Sequence, residues 1–176
     1  MNNKLSKWCR RLPGLILMVL FVSVLNQPGL ACASPETEKR LPKGIAGMKK
    51  DKVISGDEAS RIINRMHRGE VATSADFIVT YEDGKHSATY YLSLYDHPLE
   101  AKKAMEDMAR VMSENGHGFS HLMPRSRYGI NFYMALGQGQ AHYFFARNVE
   151  LVWLAVDVEI AEEAIAEVLQ VFSGTG

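Results

Sequence analysis

Six histidines are the side chains best able to hold a metal or carry a proton: His67, His86, His97, His117, His121 and His142. His117 and His121 stand four apart, a spacing that puts two imidazoles on one helix face. Gly116 and Gly118 flank that stretch and disfavour the helix, so loop histidines are expected there. His142 lies in an aromatic run beside Tyr143 and Phe144, where a half-buried structural imidazole is expected before a haem ligand. Arg125, Arg127, Tyr128 and Arg147 are candidates to gather at one sheet end, where guanidinium groups grip carboxylate or phosphate. Solvated loop charges are the plainer expectation. The ligand-binding candidates are therefore His121 and His142 as polar handles, with Tyr133 and Arg147.

No catalytic constellation emerges, and no metal site is expected. Ser87, Ser93, Ser113, Ser120 and Ser126 lack a Gly-x-Ser-x-Gly context. The acid pairs Asp57–Glu58 and Glu162–Glu163 fall at helix starts, where the helix dipole explains them. Gly137-Gln138-Gly139-Gln140 joins two strands, not a strand and a helix, so it lacks the free helical N–H groups that cradle phosphate. Both cysteines, Cys9 and Cys32, lie at the amino-terminal end. The rest of the chain therefore has no disulfide, thiolate, cysteine-zinc or covalently attached haem chemistry.

That end has the layout of an export signal. Lys4, Lys7, Arg10 and Arg11 precede an apolar run over residues 12–25, and Ala31-Cys32-Ala33 offers a small-x-small cleavage site. The run has 14 residues, short of the roughly 20 that span a bilayer. Residues 1–33 are expected to be a signal peptide and the protein periplasmic or secreted. The alternative is a lipoprotein, membrane-anchored through lipid on Cys32. The whole chain has 20 basic and 20 acidic residues, but residues 34–176 hold 16 basic against 20 acidic. A mildly acidic domain has no electrostatic footprint for nucleic acid.

Positioning any site falls to the elements that follow. Residues 34–52 read as a flexible tether, polar and carrying Pro35, Pro42, Gly44 and Gly47. Residues 53–174 read as a single α+β domain. Ser55 and Glu58 form a capping box ahead of an apolar stripe of Ala59, Ile62, Ile63 and Met66. Strands are expected at 77–81 and 87–95, turned by Asp83-Gly84. Asp96 caps a second helix with Ala101, Ala104, Met105, Met108 and Met112 inward. Strands follow at 130–136, 141–146 and 149–156, the last apolar on both faces apart from Glu150, as a central strand would be. Asp157 caps a final helix with Ala161, Ala164, Ile165, Val168 and Phe172. The pattern after Asp96 parallels that after Asp157, as a duplicated β-β-α unit would.

The expected fold is five mostly antiparallel strands with three helices packed on one face, in the order α-ββ-α-βββ-α. In architecture alone this is similar to ferredoxin-like and dimeric α+β barrel domains. The strands carry aromatic or apolar residues at both parities, including Tyr90 and Tyr91, Phe132 and Tyr133, and Phe144 and Phe145. A second apolar face of that size needs cover. The leading expectation is therefore an exported, non-enzymatic domain that acts by association, as a homodimer or an accessory subunit of an envelope complex. Alternatives are a small-ligand or haem-binding protein using the same aromatic face, and a small cofactor-independent enzyme pairing Arg147 with a histidine.

Overall fold

The computed structural model describes residues 40–67, 71–115 and 118–173, and its core is one antiparallel sheet of eight strands, not five. In chain order the elements are β1 (Gly44–Ile45), β2 (Met48–Ser55), α1 (Asp57–His67), β3 (Ala75–Glu82), β4 (Ser87–Leu94) and α2 (Pro98–Asn115). Then come β5 (Phe119–Arg127), β6 (Ile130–Gly137), β7 (Gln140–Arg147), β8 (Glu150–Asp157), a 3-10 turn (Val158–Ile160) and α3 (Ala161–Ser173). The strand order is β1-β2-β3-β4-β8-β7-β6-β5. Two four-stranded meanders thus meet where β4 pairs with β8, and the sheet curls as a half-barrel.

The three additional strands lie in polar stretches. β1 and β2 occupy part of the expected tether, because a few apolar residues anchor a segment whose average composition is polar. Ile45 and Met48 are fully buried, and Ala46 and Gly47 turn the hairpin with positive φ of 48° and 77°. The Ala46 N–H donates to Glu167 Oε2 of α3 at 2.7 Å, and the Tyr81 hydroxyl donates to the Pro42 carbonyl at 2.7 Å. β5 is the far edge strand. It carries Pro124 and a register shift between Ser120 and Met123, both usual on an edge that must not pair further.

The helices lie on both faces of the sheet, which corrects the one-face expectation. α3 buries Ala161, Ala164, Ile165, Val168, Leu169 and Phe172 against Val79, Tyr90, Leu92, Val152, Leu154 and Phe145. α2 sits on the opposite face, with Ala101, Met108 and Met112 near Ala135, Phe144 and Leu151. α1 shares that face, with Ala59 and Ile63 on Ile78. The second apolar face therefore gets its cover from within the chain. Helix placement also argues against a duplication. A two-fold relating β3-β4-α2 to β7-β8-α3 would run normal to the sheet and leave both helices on the same face.

Two expected caps are absent. Ser55 belongs to β2, and α1 starts after Gly56, whose φ of 62° makes the turn. Asp157 makes no capping hydrogen bond. Its carboxylate instead accepts the Ser87 N–H at 2.7 Å and the Gln140 side-chain amide at 3.0 Å, tying β4 and β7 to the end of β8. Among the described residues, no helix is long and apolar enough to cross a membrane. The export-signal reading and His117 fall outside the described residues.

Candidate functional site

Register across the middle of the sheet decides where the α1/α2 face is hollow. Thr89 of β4 pairs with Ala155 of β8, which pairs with His142 of β7. The next row on the same face is Tyr91, Trp153 and Phe144. Two small residues, Thr89 and Ala155, thus sit beside a row of three aromatic ones. The α1 and α2 helices flank this depression and do not fill it. The result is a cleft of about 680 Å³. Its floor is Thr89, Tyr91, Ala155, Trp153 and His142; α1 supplies Met66 and His67, and α2 supplies Met108, Val111 and Met112. Met66 and Val111 remain 41% and 38% exposed, and with the exposed His67 and Gln138 they give the cleft a rim of mixed polarity. Phe119 and Gln138 close one end. Phe119 can reach that position because Gly137 lacks a side chain; a Cβ there would lie 2.4 Å from the Phe119 ring.

His142 is 4% exposed and is held on both ring nitrogens. The Trp153 Nε1–H, which can only donate, points at His142 Nδ1 at 3.1 Å. Nδ1 is therefore an acceptor, and the proton sits on Nε2, which donates to the Gly137 carbonyl at 3.0 Å. Burial lowers the His142 pKa below its ordinary value, in keeping with a neutral ring. Neither nitrogen has a lone pair left for a haem iron. The Phe119 ring meets the His142 ring edge-on at 4.9 Å, so the imidazole is packed as well as bonded.

Little charge reaches the cleft. Asp107 lines it, but its carboxylate accepts from Lys103 at 2.7 Å and Arg110 at 3.2 Å along α2. Those bonds hold its pKa below the usual carboxylate range. His67 Nδ1 lies 2.9 Å from the Ile63 carbonyl. Among the described residues, no lysine or arginine lines the cleft. Among the described residues, the Thr89 hydroxyl makes no protein hydrogen bond and no cluster of three His, Cys, Asp or Glu could hold a metal.

The four sequence-predicted site residues are not brought together. Only His142 lies in the cleft. Tyr133 stacks on Phe144 at 5.3 Å and lines a separate groove of about 520 Å³ with Lys102, Met105 and Arg125. Arg147 lies at the end of β7 beside another groove, of about 370 Å³, near Pro98 and Leu99. It has the opposite strand parity to His142, so the two form no acid–base pair. His121 is exposed on edge strand β5, at a φ of 56°, with Nδ1 at 3.0 Å from Ser120 Oγ. The sequence pattern assigns no site role to Thr89 or Ala155; the α2 methionines Met108 and Met112 are core, as expected, and also line the cleft. Compared with known protein families, with curated proteins and with solved structures, the chain matches none.

Proposed function

We propose that this is an exported binding protein whose cleft between α1 and α2 holds a small, mainly apolar molecule and performs no reaction on it. The observation that carries this reading is the cleft itself. Its volume of about 680 Å³ falls within the range of small-molecule sites, and its lining joins aromatic and methionine side chains with polar ones, among them Thr89, Gln138 and Gln140. Helices lie on both faces of the sheet, and the reading rests on the cleft that α1 and α2 leave open between them, not on pairing of a bare sheet face. Export rests on the basic and apolar pattern of residues 1–33, with the chain continuing from Ser34 in the periplasm or outside the cell.

The test uses residues 34–176. All three apolar clusters among the described residues are drawn from residues 41–172, which this segment contains. It also keeps one tryptophan, Trp153, since Trp8 lies in the leader. Titration with the neutral fluorophore N-phenyl-1-naphthylamine should show saturable binding and quench Trp153. Ala155→Phe should fill the depression and abolish both effects while the circular dichroism stays unchanged. Absence of saturable binding, or equal binding by the Ala155→Phe protein, would refute the proposal. Intact mass of the exported protein tests the rest: a chain starting at Ser34 supports a free protein, and a diacylglyceryl adduct on Cys32 refutes it.

A further inference from the structure

Resting on the binding reading above, we infer that the ligand presents a flat, uncharged ring system, laid over Thr89 and Ala155 with Trp153 as its aromatic neighbour. Three independent features of the cleft lead to this class.

The first is shape. The Thr89–Ala155–His142 row runs across β4, β8 and β7, and its two small members, Thr89 and Ala155, open a hollow one interstrand spacing wide, about 4.8 Å, with the Phe119 ring over His142 at its end. The Tyr91–Trp153 row flanks this hollow along one side, so a flat body laid in it meets the indole.

The second is the fixed aromatic array. The Trp153 Nε1–H is engaged by His142, which is itself engaged by the Gly137 carbonyl. The indole is thereby locked in one orientation and offers a ligand its ring and no donor. Tyr91, Phe119 and Phe144 surround it at centroid distances of 6.2, 5.9 and 6.1 Å, all tilted. A ring in the hollow adds one more tilted neighbour to this array, an arrangement aromatic rings favour. A platform already held rigid loses little freedom on binding. On the opposite walls, Met66, Met108 and Met112 supply thioethers, which pack well against ring edges.

The third is charge. Asp107 is answered by Lys103 and Arg110, and His142 is held as the neutral tautomer. Among the described residues lining the cleft, that leaves His67, with Nδ1 on the Ile63 carbonyl, as the side chain able to meet a charge, so a neutral ligand is favoured over one that leaves its charge unpaired. The Thr89 hydroxyl can make one hydrogen bond to a neutral polar substituent.

The experiment compares three ten-carbon or near-ten-carbon competitors for the N-phenyl-1-naphthylamine site on residues 34–176: 2-naphthol, decan-1-ol and 2-naphthoate. The expected result is that 2-naphthol displaces the probe at a concentration at least about tenfold lower than either of the others. In a second arm, Trp153→Leu should weaken 2-naphthol about tenfold and leave decan-1-ol within about twofold, with circular dichroism confirming the fold. Trp153→Phe, which keeps an aromatic ring, should retain most of the 2-naphthol affinity and guards against a misfolded Trp153→Leu protein. Equal or better displacement by decan-1-ol would overturn the flat ring while leaving the cleft as a binding site. Equal displacement by 2-naphthoate would overturn the neutral ligand. Binding of neither the probe nor any competitor would overturn the binding reading itself.

Discussion

Removing the Asp76 carboxylate should loosen the α1 wall of the cleft by a measurable amount. Asp76 is 1% exposed and accepts three hydroxyl hydrogen bonds: Ser60 Oγ at 2.7 Å, Thr73 Oγ1 at 2.7 Å and Ser93 Oγ at 2.6 Å. These donors come from α1, from the connection between α1 and β3, and from β4. α1 otherwise buries only Ala59 and Ile63, so this clasp is a large share of what holds it. Hydrogen bonds to a charged group contribute about 1.5–3 kcal/mol each, offset by the cost of burying the carboxylate. In Asp76→Ala, Ser60 and Thr73 are only partly buried and can turn to water, whereas Ser93 is 7% exposed and is left without an acceptor. Counting one full desolvation penalty and two weaker losses, the variant should lose about 3 kcal/mol. Asp76→Asn should lose about 1 kcal/mol, because hydroxyls can rotate to accept from the amide. Urea unfolding followed by fluorescence gives both values, with m constant across variants. Ser93→Ala supplies the control: about 1.5 kcal/mol in the unmodified protein and close to zero in the Asp76→Ala background. Hydrogen exchange over residues 57–67 should speed up in parallel. A loss below about 1 kcal/mol for Asp76→Ala, or the same Ser93→Ala cost in both backgrounds, would refute the clasp.

Three further outcomes follow from the geometry. Asp157→Ala should cost about 1–2 kcal/mol through the lost bonds to the Ser87 N–H and Gln140, with hydrogen exchange at the start of α3 unchanged; fraying there would restore a capping role. His86 is bonded first to Asp83 and then to Glu159, which raises its pKa, so its contribution is full below about pH 6.5 and fades as pH rises through the raised value. Asp83, held at about 2 first by the backbone N–H of His86, and Glu159, lowered first by the His86 side chain, contribute above the ordinary carboxylate range and lose that contribution as pH falls. His86→Gln should therefore lower Tm more at about pH 6 than at about pH 9, and an equal or larger loss at the higher pH would contradict the cluster. Trp153→Phe removes the donor to His142 Nδ1, which favours the neutral ring, so His142 should titrate at higher pH than in the unmodified protein; nitrogen chemical shifts of the imidazole report this, and an unchanged titration would refute the tautomer assignment.

Local pattern carried the α+β class and the three helices, because each helix shows its apolar stripe within a few turns. Ile63 of α1, Met108 of α2 and Val168 of α3 all lie on the faces that the periodicity indicates. β1, β2 and β5 escaped because their burial is sparse. In β2 only Met48 is buried, and in β5 no side chain is fully buried, so alternation is weak and the mean composition is that of a loop. Their pairing is set instead by partners elsewhere in the chain, Glu167 for the β1–β2 hairpin and β6 for β5. The apolar character of β8 on both faces did signal a doubly covered strand, and β8 does lie between β4 and β7. Pattern alone could not say whether the second cover was a helix or another subunit. That depends on which side of the sheet each connection crosses, and no periodicity within one element encodes it.

The cleft was still less legible, for a geometric reason. Its depth comes from Thr89 and Ala155 falling side by side, and these residues are joined only by the register of β4 against β8. Each is unremarkable in its own strand: a threonine between alanine and tyrosine, an alanine between leucine and valine. A hollow is a missing volume, and a missing volume leaves no chemical signature in a sequence. His142 stands out in the sequence as a polar handle on an otherwise aromatic strand, and it does line the cleft. Its role differs from the one its residue type suggests, because both nitrogens serve to fix Trp153 and the β6–β7 turn. The polar residue that stands out in the sequence thus holds the platform, while the space for a ligand is made by two small residues that do not stand out at all.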